Sequence, residues 1–278
     1  MWKRIRRVLM IILAAVFLFC GGTVAVVQYQ YAANKRLYRA ASSTFTEPTA
    51  LGAKVPEAVP SDSSGEKKPS RLNDGIYRLP EVAPIKVNFE ALKKVNPDVD
   101  GWIYCPDTVI DYPVMHGLSN DTYLHHSYDG TYNASGSIFV DERNQRNFAD
   151  PISILYGHHM ASGSMFATIG WWQMKSYLDE HPVMWLLTPE QDYKVQLYSA
   201  YDTSAYSDTY EIPPYSGGDF LSYLWNVESY SPYHIGVDLD PNAHYIVMST
   251  CAYVFEDARS VLHGKLLPVM SAGGIPME

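Results

Sequence analysis

Cysteine is scarce in this chain, which contains only Cys20, Cys105 and Cys251 in 278 residues. A dense disulfide framework is therefore excluded, and a composition that is 47% hydrophobic and 13% aromatic provides an ample core without one. Cys105 and Cys251 could still pair in an oxidising compartment, and the sequence leaves that possibility open.

Basic residues are also in deficit, with 21 Lys and Arg against 30 Asp and Glu and a formal net charge of -9. The first seven residues, MWKRIRR, hold four cations and no acid, so the rest of the chain carries a charge of -13. Because nucleic-acid binding needs a basic face, nucleic acid is excluded as a partner. The chain has no internal repeat.

Motifs for metal binding are absent from the sequence as well. There is no HExxH spacing and no cysteine-rich cluster, and the adjacent residues His158 and His159 would point to opposite faces of a strand. We therefore predict no metal site.

Charge is absent altogether from Val8 to Val27, a run of twenty residues. As a helix this run matches a hydrocarbon layer about 30 Å thick. Four cations precede it, so the positive-inside rule predicts a cytoplasmic tail over residues 1–7 and a transmembrane anchor over 8–27. The remainder would lie outside the cell, which makes the chain a single-pass type II protein of the cell membrane. A cleaved signal peptide is the alternative, since Thr23-Val24-Ala25 offers a cleavage site, but the apolar run continues past it.

Residues 28–85 fall into two segments of different amino-acid composition. The segment from Gln28 to Arg39 is predicted to continue as a helix out of the membrane, and the segment from Ala40 to about Pro84 is rich in Ser, Pro, Gly, Glu and Lys. The second composition buries too little apolar surface to fold and predicts a disordered, extended stalk. A folded catalytic domain is predicted over residues 86–278.

Short strands dominate the predicted domain. It opens with an amphipathic helix, in which Phe89, Leu92 and Val95 share one face and Asn96-Pro97 end the pattern. Seven runs rich in β-branched and aromatic residues follow: GWIYC, VIDYPVM, GSIFVD, PISILYG, PVMWLLT, YKVQLYSAY and HYIVMST. Helical insertions are predicted at about 162–180 and 219–229. Seven or eight such strands suggest a barrel or a sandwich, so the fold class is mainly β. Because strands and long helices do not alternate, an antiparallel barrel with peripheral helices fits better than an α/β sheet.

Cys251 closes one predicted strand and Arg259 begins the next. If the residues between them form a tight connection, both lie at one edge of the sheet. A buried cysteine is often only a small hydrophobic residue. An arginine held beside it either pairs with an acid, for which Glu256 and Asp257 are available, or serves an incoming anion.

His158 supplies the third group, because ILYGHHM ends a strand in glycine and two histidines. Glycine permits close approach of a substrate, and imidazole is suited to acid and base chemistry. Cysteine, histidine and arginine together meet the needs of thiol acyl transfer: a nucleophile, a proton donor for the leaving amine, and a cation for the oxyanion. From spacing alone, structural roles for all three residues stay open.

These residues give the chain a resemblance to the sortases, the membrane-anchored cysteine transpeptidases of Gram-positive cell surfaces. The VMSTC segment, ending at Cys251, is similar to the TLxTC motif of that family, with Val247 for Thr and Met248 for Leu. DARSVLHGKL supplies the arginine and YGHHM the histidine. Upstream, a GWI strand, an IDYPV strand, an NxxxL element and a GSIFxDxRN strand resemble class B members. The resemblance covers about Asn88 to Pro268.

The resemblance implies an eight-stranded sortase barrel with N-terminal helices and a helix, DFLSYLWNVES, in the connection between barrel strands six and seven. It also implies catalytic roles: Cys251 as nucleophile, His158 as general acid and base, and Arg259 as oxyanion and substrate clamp. His159 is treated as a neighbour only. Three residues match substrate-binding positions of the groove: Ser249, Asn120 and Leu124.

The implied reaction is cleavage of a C-terminal sorting signal, LPxTG-like or NPxTN-like, after its threonine through a cysteine thioester. The acyl group passes to an amine of a peptidoglycan precursor or to a pilin lysine, and no cofactor is required. The implied partners are surface proteins or pilins that carry the signal, the peptidoglycan precursor amine and the membrane.

Two other functions are weighed against this one. A papain-like cysteine hydrolase shares the thiol and imidazole, but it normally carries its cysteine at a helix N-terminus with the histidine later in the chain. The second is a noncatalytic surface adhesin on a stalk, in which Cys251 is merely buried.

Overall fold

The computed structural model describes residues 2–49, 82–212 and 218–269. The chain divides into two compact units, Met1–Ala40 and Ala41–Glu278. Helix α1 runs over Trp2–Phe45, and by length and composition it is a candidate membrane span. The helix therefore continues beyond Arg39 into the first residues of the predicted stalk. Residues 50–81, which hold most of the predicted stalk, lie outside the described residues.

A small antiparallel sheet and a short helix precede the barrel. Strand β1, Thr46–Pro48, pairs with β2, Ile85–Val87. Helix α2 covers Phe89–Val95, as predicted, and begins at Asn88, whose side-chain oxygen accepts a hydrogen bond from the backbone N–H of Ala91 at 3.0 Å. This N-cap satisfies one of the amide groups that the first turn leaves unpaired.

Eight strands close into a barrel in the order β10-β8-β7-β3-β4-β5-β6-β9. In chain order they are β3 Val99–Tyr104, β4 Asp111–Met115, β5 Ile138–Val140, β6 Ile152–Tyr156, β7 Val183–Leu187, β8 Asp192–Ser204, β9 His244–Cys251 and β10 Ala258–Val269. The prediction of an eight-stranded barrel, mainly β with peripheral helices, is confirmed.

The barrel is not wholly antiparallel, and that part of the prediction is wrong. The pairs β4–β5 and β6–β9 are parallel. Parallel strands need a long crossover connection, which short strands read in isolation do not reveal. The β4–β5 crossover carries helix α3, Asn120–Leu124.

Helices lie in the connections between strands. The predicted insertion at 162–180 contains a 3-10 helix, Ile169–Gln173, and helix α4, Lys175–Glu180. Helix α5, Gly218–Ser229, lies between β8 and β9, which are the sixth and seventh barrel strands. Its position confirms the helix predicted in that connection.

Helix α5 covers part of one face of the sheet formed by β6, β9 and β10. Its buried side chains Phe220 and Leu224 belong to one apolar cluster with Ile154, Val247 and Val261 of these strands. Burial of each large apolar side chain contributes on the order of 2 kcal/mol. Because alternate residues of a strand share a face, the same face continues from Val247 to Cys251 and from Val261 back to Arg259. Both of these residues are partly exposed, so the face is open at this end.

Candidate active site

Cys251 and Arg259 are direct cross-strand partners at the open end of the sheet. The backbone N–H of Ala252 donates to the carbonyl of Ala258 at 2.9 Å. Because hydrogen-bonded and non-hydrogen-bonded pairs alternate along an antiparallel ladder, the Cys251–Arg259 pair is a non-hydrogen-bonded one, with side chains on the same face and Cα atoms about 4.5 Å apart. The thiol and the guanidinium therefore start from adjacent positions.

The Arg259 guanidinium is not held by an acid. Its Nη1 atom donates to the backbone carbonyl of Ala258 at 3.0 Å. Within the described ranges no carboxylate forms an ion pair with Arg259, and both Glu256 and Asp257 are exposed. Most donors of the guanidinium fork thus stay available to an anion.

His158 follows β6, which pairs with β9 on the side opposite β10. In the parallel β6–β9 pair Tyr156 is the partner of Ser249, and the N–H of Gly157 donates to the carbonyl of Ser249 at 3.2 Å. Strand β6 ends at Tyr156, so His158 follows the end of the strand that neighbours the one carrying Cys251. His158 and Cys251 are both partly buried, and both lie at the C-terminal end of this parallel strand pair.

Gly157 has a steric reason to be glycine. A Cβ atom there would lie 2.5 Å from Cδ1 of Ile138 and 2.8 Å from the ring of Phe166. Those distances are below any normal contact, so a larger residue would displace the neighbouring His158.

One ring nitrogen of His158 is already used. Its Nε2 atom lies 2.9 Å from the backbone carbonyl of Leu124, at the end of α3. A carbonyl can only accept, so Nε2 carries the proton. In the neutral ring Nδ1 is then the atom that can take a proton. The ring of His125 lies beside that of His158, with centroids 6.4 Å apart.

The three predicted groove residues have different environments. Ser249 lies on the Cys251 face, and its hydroxyl is 2.8 Å from that of Tyr210. Asn120 is fixed by Glu142, whose N–H donates to the Asn120 side-chain oxygen at 2.9 Å and whose carboxylate accepts from the Asn120 N–H at 2.8 Å. Leu124 contributes its carbonyl to His158, so the C-terminal end of α3 lies against the histidine.

Tyr210 was not singled out from the sequence. It ends a 3-10 helix, Asp208–Tyr210, in the connection that leads to α5, and its ring stacks on Tyr156 at 6.4 Å. Burial raises the pKa of Tyr210 to about 12, although the hydrogen bond with Ser249 and the positive charge of Arg259 act in the opposite direction. The hydroxyl is therefore neutral at ordinary pH and forms one wall beside the thiol.

Asp141 and Arg143 hold that wall in place. The guanidinium of Arg143 donates from Nε and Nη2 to the Asp141 carboxylate at 2.8 Å each, and Nη2 also donates to the carbonyl of Tyr210 at 3.2 Å. The hydroxyl of Tyr156 donates to Asp141 at 2.8 Å. Burial alone would raise the pKa of Asp141, but its hydrogen bonds from Arg143 and Tyr156 outweigh burial and lower it. Both charged residues belong to the GSIFxDxRN segment, which signals their presence without revealing their partners.

Cys105 takes no part in the site. It is 1% exposed, its sulfur lies 3.7 Å from the carbonyl of Val183, and all three cysteines are free. The disulfide with Cys251 that the sequence left open is not formed. Burial raises the pKa of the Cys105 thiol to about 12.

The site also bears on the papain-like alternative. Cys251 ends a strand of a closed barrel and is preceded in the chain by its histidine. A papain-like site carries its cysteine at a helix N-terminus. The described fold does not match that arrangement.

Comparisons with known proteins agree with this geometry. No family model matches the chain. Sortase B of Listeria monocytogenes serovar 1/2a is 31% identical over 264 residues, which cover 93% of this chain and 95% of that protein. The chain also resembles the structure of a Staphylococcus aureus sortase B–substrate complex, with a TM-score of 0.62, 28% identity and coverage of 66% of this chain and 85% of that one.

A third comparison gives the same result. Clostridium perfringens sortase B matches with a TM-score of 0.61 and 32% identity, covering 65% of this chain and all of the other (100%). Closed barrel, strand-end cysteine and relatives at this level of identity all indicate one class of enzyme. The chain belongs to the sortase B family and is a cysteine transpeptidase.

Proposed function

We propose that the chain cleaves a C-terminal sorting signal after its threonine and transfers the new carboxyl end to an amine. Cys251 is the nucleophile, His158 the general acid and base, and Arg259 the oxyanion and substrate clamp. The observation that carries this proposal is the cross-strand pairing of Cys251 with Arg259. His158 follows β6, the strand on the other side of β9, by two residues.

The first half-reaction replaces an amide with a thioester. The Cys251 thiolate attacks the threonine carbonyl carbon, a C–S bond forms, and the carbonyl electron pair moves to oxygen. Collapse of this intermediate breaks the C–N bond, and the leaving amine receives a proton from Nδ1 of the His158 imidazolium. Because Nε2 donates its proton to the Leu124 carbonyl, Nδ1 is the nitrogen that transfers protons to and from the substrate.

The second half-reaction restores the enzyme. An acceptor amine attacks the thioester carbonyl, His158 accepts its proton, and the sulfur leaves as a thiolate. One amide bond has been exchanged for another, so neither an oxidant nor a cofactor enters the balance. When water replaces the amine, the same steps hydrolyse the signal.

Arg259 stabilises the negative charge that develops on the carbonyl oxygen. Its adjacent position across the strands and its lack of an acidic partner among the described residues support this role. A planar guanidinium can donate two parallel hydrogen bonds to a single anionic group or peptide.

The sorting peptide lies along the open sheet face. Ser249, Asn120 and Leu124 are the proposed substrate-binding residues, and Tyr210 forms the wall that Ser249 contacts. The solved S. aureus sortase B–substrate complex supports a peptide substrate for a chain of this fold.

The sorting signal is LPxTG-like or NPxTN-like, and the substrates that carry it are surface proteins or pilins. The acceptor is an amine of a peptidoglycan precursor or a pilin lysine. The apolar run of α1 anchors the enzyme as a single-pass type II membrane protein with the catalytic domain outside the cell.

A mass-spectrometric screen tests this function. Full-length protein in detergent is incubated with LPxTG-like and NPxTN-like peptides, alone and with diaminopimelate or oligoglycine. We expect cleavage after threonine in at least one series and an amine adduct when its acceptor is present. Absence of cleavage in every series, with the protein folded, would contradict the proposal.

A further inference from the structure

We infer that His159 is a positioning residue that holds the backbone carbonyl of Cys251, and with it the nucleophilic end of β9. The evidence is a hydrogen bond between Nδ1 of His159 and this carbonyl, at 2.9 Å. The inference rests on the proposed function, in which Cys251 is the nucleophile.

This bond stands where the next backbone hydrogen bond of the parallel β6–β9 pair would be expected. Bonds from one strand of a parallel pair recur every two residues, so the bond from Gly157 N–H to Ser249 should be followed by one from His159 N–H to Cys251. The chain has left β6 by this point, since β6 ends at Tyr156 and His159 forms an isolated antiparallel bridge with Met165. The ring of His159 takes the place of its own backbone N–H.

The carbonyl of Cys251 points toward β6 for a topological reason. Ala252 and not Cys251 donates to β10, so the amide groups of Cys251 turn to the opposite side of the strand. A carbonyl only accepts, so Nδ1 of His159 carries the proton. Without this donor, the last carbonyl before the β9–β10 loop loses its link to β6.

His159 also contacts the first part of that loop. The ring of Tyr253, whose side chain is otherwise open to solvent at 79% exposure, meets the His159 ring edge to face at 5.3 Å. The imidazole thus contacts both the nucleophile's backbone and the loop that leads to Arg259. Loss of the bond would let the thiol move relative to the guanidinium, and displacements near 1 Å can reduce rates about a hundredfold.

The same strand provides a matched control. At the opposite end of β9, Nδ1 of His244 lies 2.8 Å from the backbone carbonyl of Asp150, just before β6. This is the same kind of ring-to-carbonyl bond across the same strand pair, but it lies at the far end of β9 from Cys251. Removing it should affect local stability and leave acyl transfer unchanged.

Three variants of the full-length protein test the inference. His159→Leu removes the donor and keeps the bulk. His159→Asn retains an N–H at the branch position of Nδ1, and His244→Leu is the control. For each we would measure single-turnover thioester formation with LPxTG-like and NPxTN-like peptides, hydrogen exchange of a peptide spanning residues 247–258, and the melting temperature.

We expect His159→Leu to slow thioester formation at least tenfold and to accelerate exchange at residues 251–258. We expect His159→Asn to restore the rate to within about threefold of wild type, and His244→Leu to keep it unchanged. Equal rates and equal exchange in His159→Leu and wild type would overturn the inference, as would a loss of rate in His159→Leu that His159→Asn does not restore. A wild-type protein without any thioester would instead contradict the proposed function, and the exchange measurement would still decide whether His159 holds Cys251.

Discussion

The hydroxyl groups of Tyr210 and Ser249 lie 2.8 Å apart, which ties the connection before α5 to the strand that carries Cys251. Ser249 precedes Cys251 by two residues and shares its sheet face. The contact thus joins Tyr210, which forms the wall beside the thiol, to the sheet face on which Cys251 lies.

Tyr210→Phe removes this hydrogen bond and keeps the ring that stacks on Tyr156. A neutral hydrogen bond contributes about 1 kcal/mol, so we expect kcat/KM for a sorting peptide to fall about fivefold, mainly through KM. Ser249→Ala should cause a similar loss, and the double variant should lose little more than either single one. Fully additive losses, measured in a double-mutant cycle, would show that the two hydroxyls act independently.

Arg259→Lys keeps the positive charge and loses the planar fork. We expect kcat/KM to fall by about a hundredfold or more, nearly as far as in Arg259→Ala, because a single ammonium cannot donate two parallel bonds. Steady-state cleavage assays of both variants measure this. Near-normal turnover of the lysine variant would show that only the positive charge of Arg259 is needed and that its planar fork is not.

Cys105 and Cys251 should differ sharply in their reaction with iodoacetamide. With its pKa raised to about 12 by burial, Cys105 has a thiolate fraction of about one in ten thousand at pH 8. We expect alkylation at Cys251 and none at Cys105 when a Cys20→Ser protein is digested and analysed by mass spectrometry. Fast labelling of Cys105 in the folded protein would mean that its burial is not maintained in solution.

His263 should make the protein less stable in mild acid. Burial lowers its pKa from 6.5 to about 3, and its Nε2 atom contacts the hydroxyl of Tyr201 at 3.0 Å. Between these two pH values the unfolded chain binds a proton that the folded chain does not, so stability falls as the pH falls from 6.5 toward 3. The slope is about 1.4 kcal/mol per pH unit, or about 2 kcal/mol lost between pH 6.5 and 5.

The measurement for this prediction is denaturant unfolding of wild type and His263→Leu at several pH values. We expect a shallower pH dependence for the variant over this range, whatever its stability at neutral pH. Parallel curves for the two proteins would show that another group is responsible.

Much of the fold was predictable because its signals are local. Runs of β-branched and aromatic residues predict the strands, and the spacing of Phe89, Leu92 and Val95 predicts α2. Cys251, His158 and Arg259 could be proposed because strand ends and family motifs mark them. The parallel pairing of β6 with β9 was missed because it joins segments separated by almost ninety residues of sequence.

The contacts around the site carry no such local signal. Tyr210 reaches Ser249, and Arg143 reaches the Tyr210 carbonyl, through an irregular connection with no hydrophobic period. The sequence marks His159 only as the neighbour of His158, the histidine that matches the family motif. The ring of His159 reaches the Cys251 carbonyl at a point where the backbone has already left β6.

The most direct test of the account is the behaviour of Cys251→Ala. Full-length wild type and variant are compared for release of peptide product from a sorting-signal substrate and for melting temperature. We predict no product from the variant, with a melting temperature close to that of wild type, because the half-exposed thiol contributes little to the core. Product release by Cys251→Ala at the wild-type rate would contradict the account.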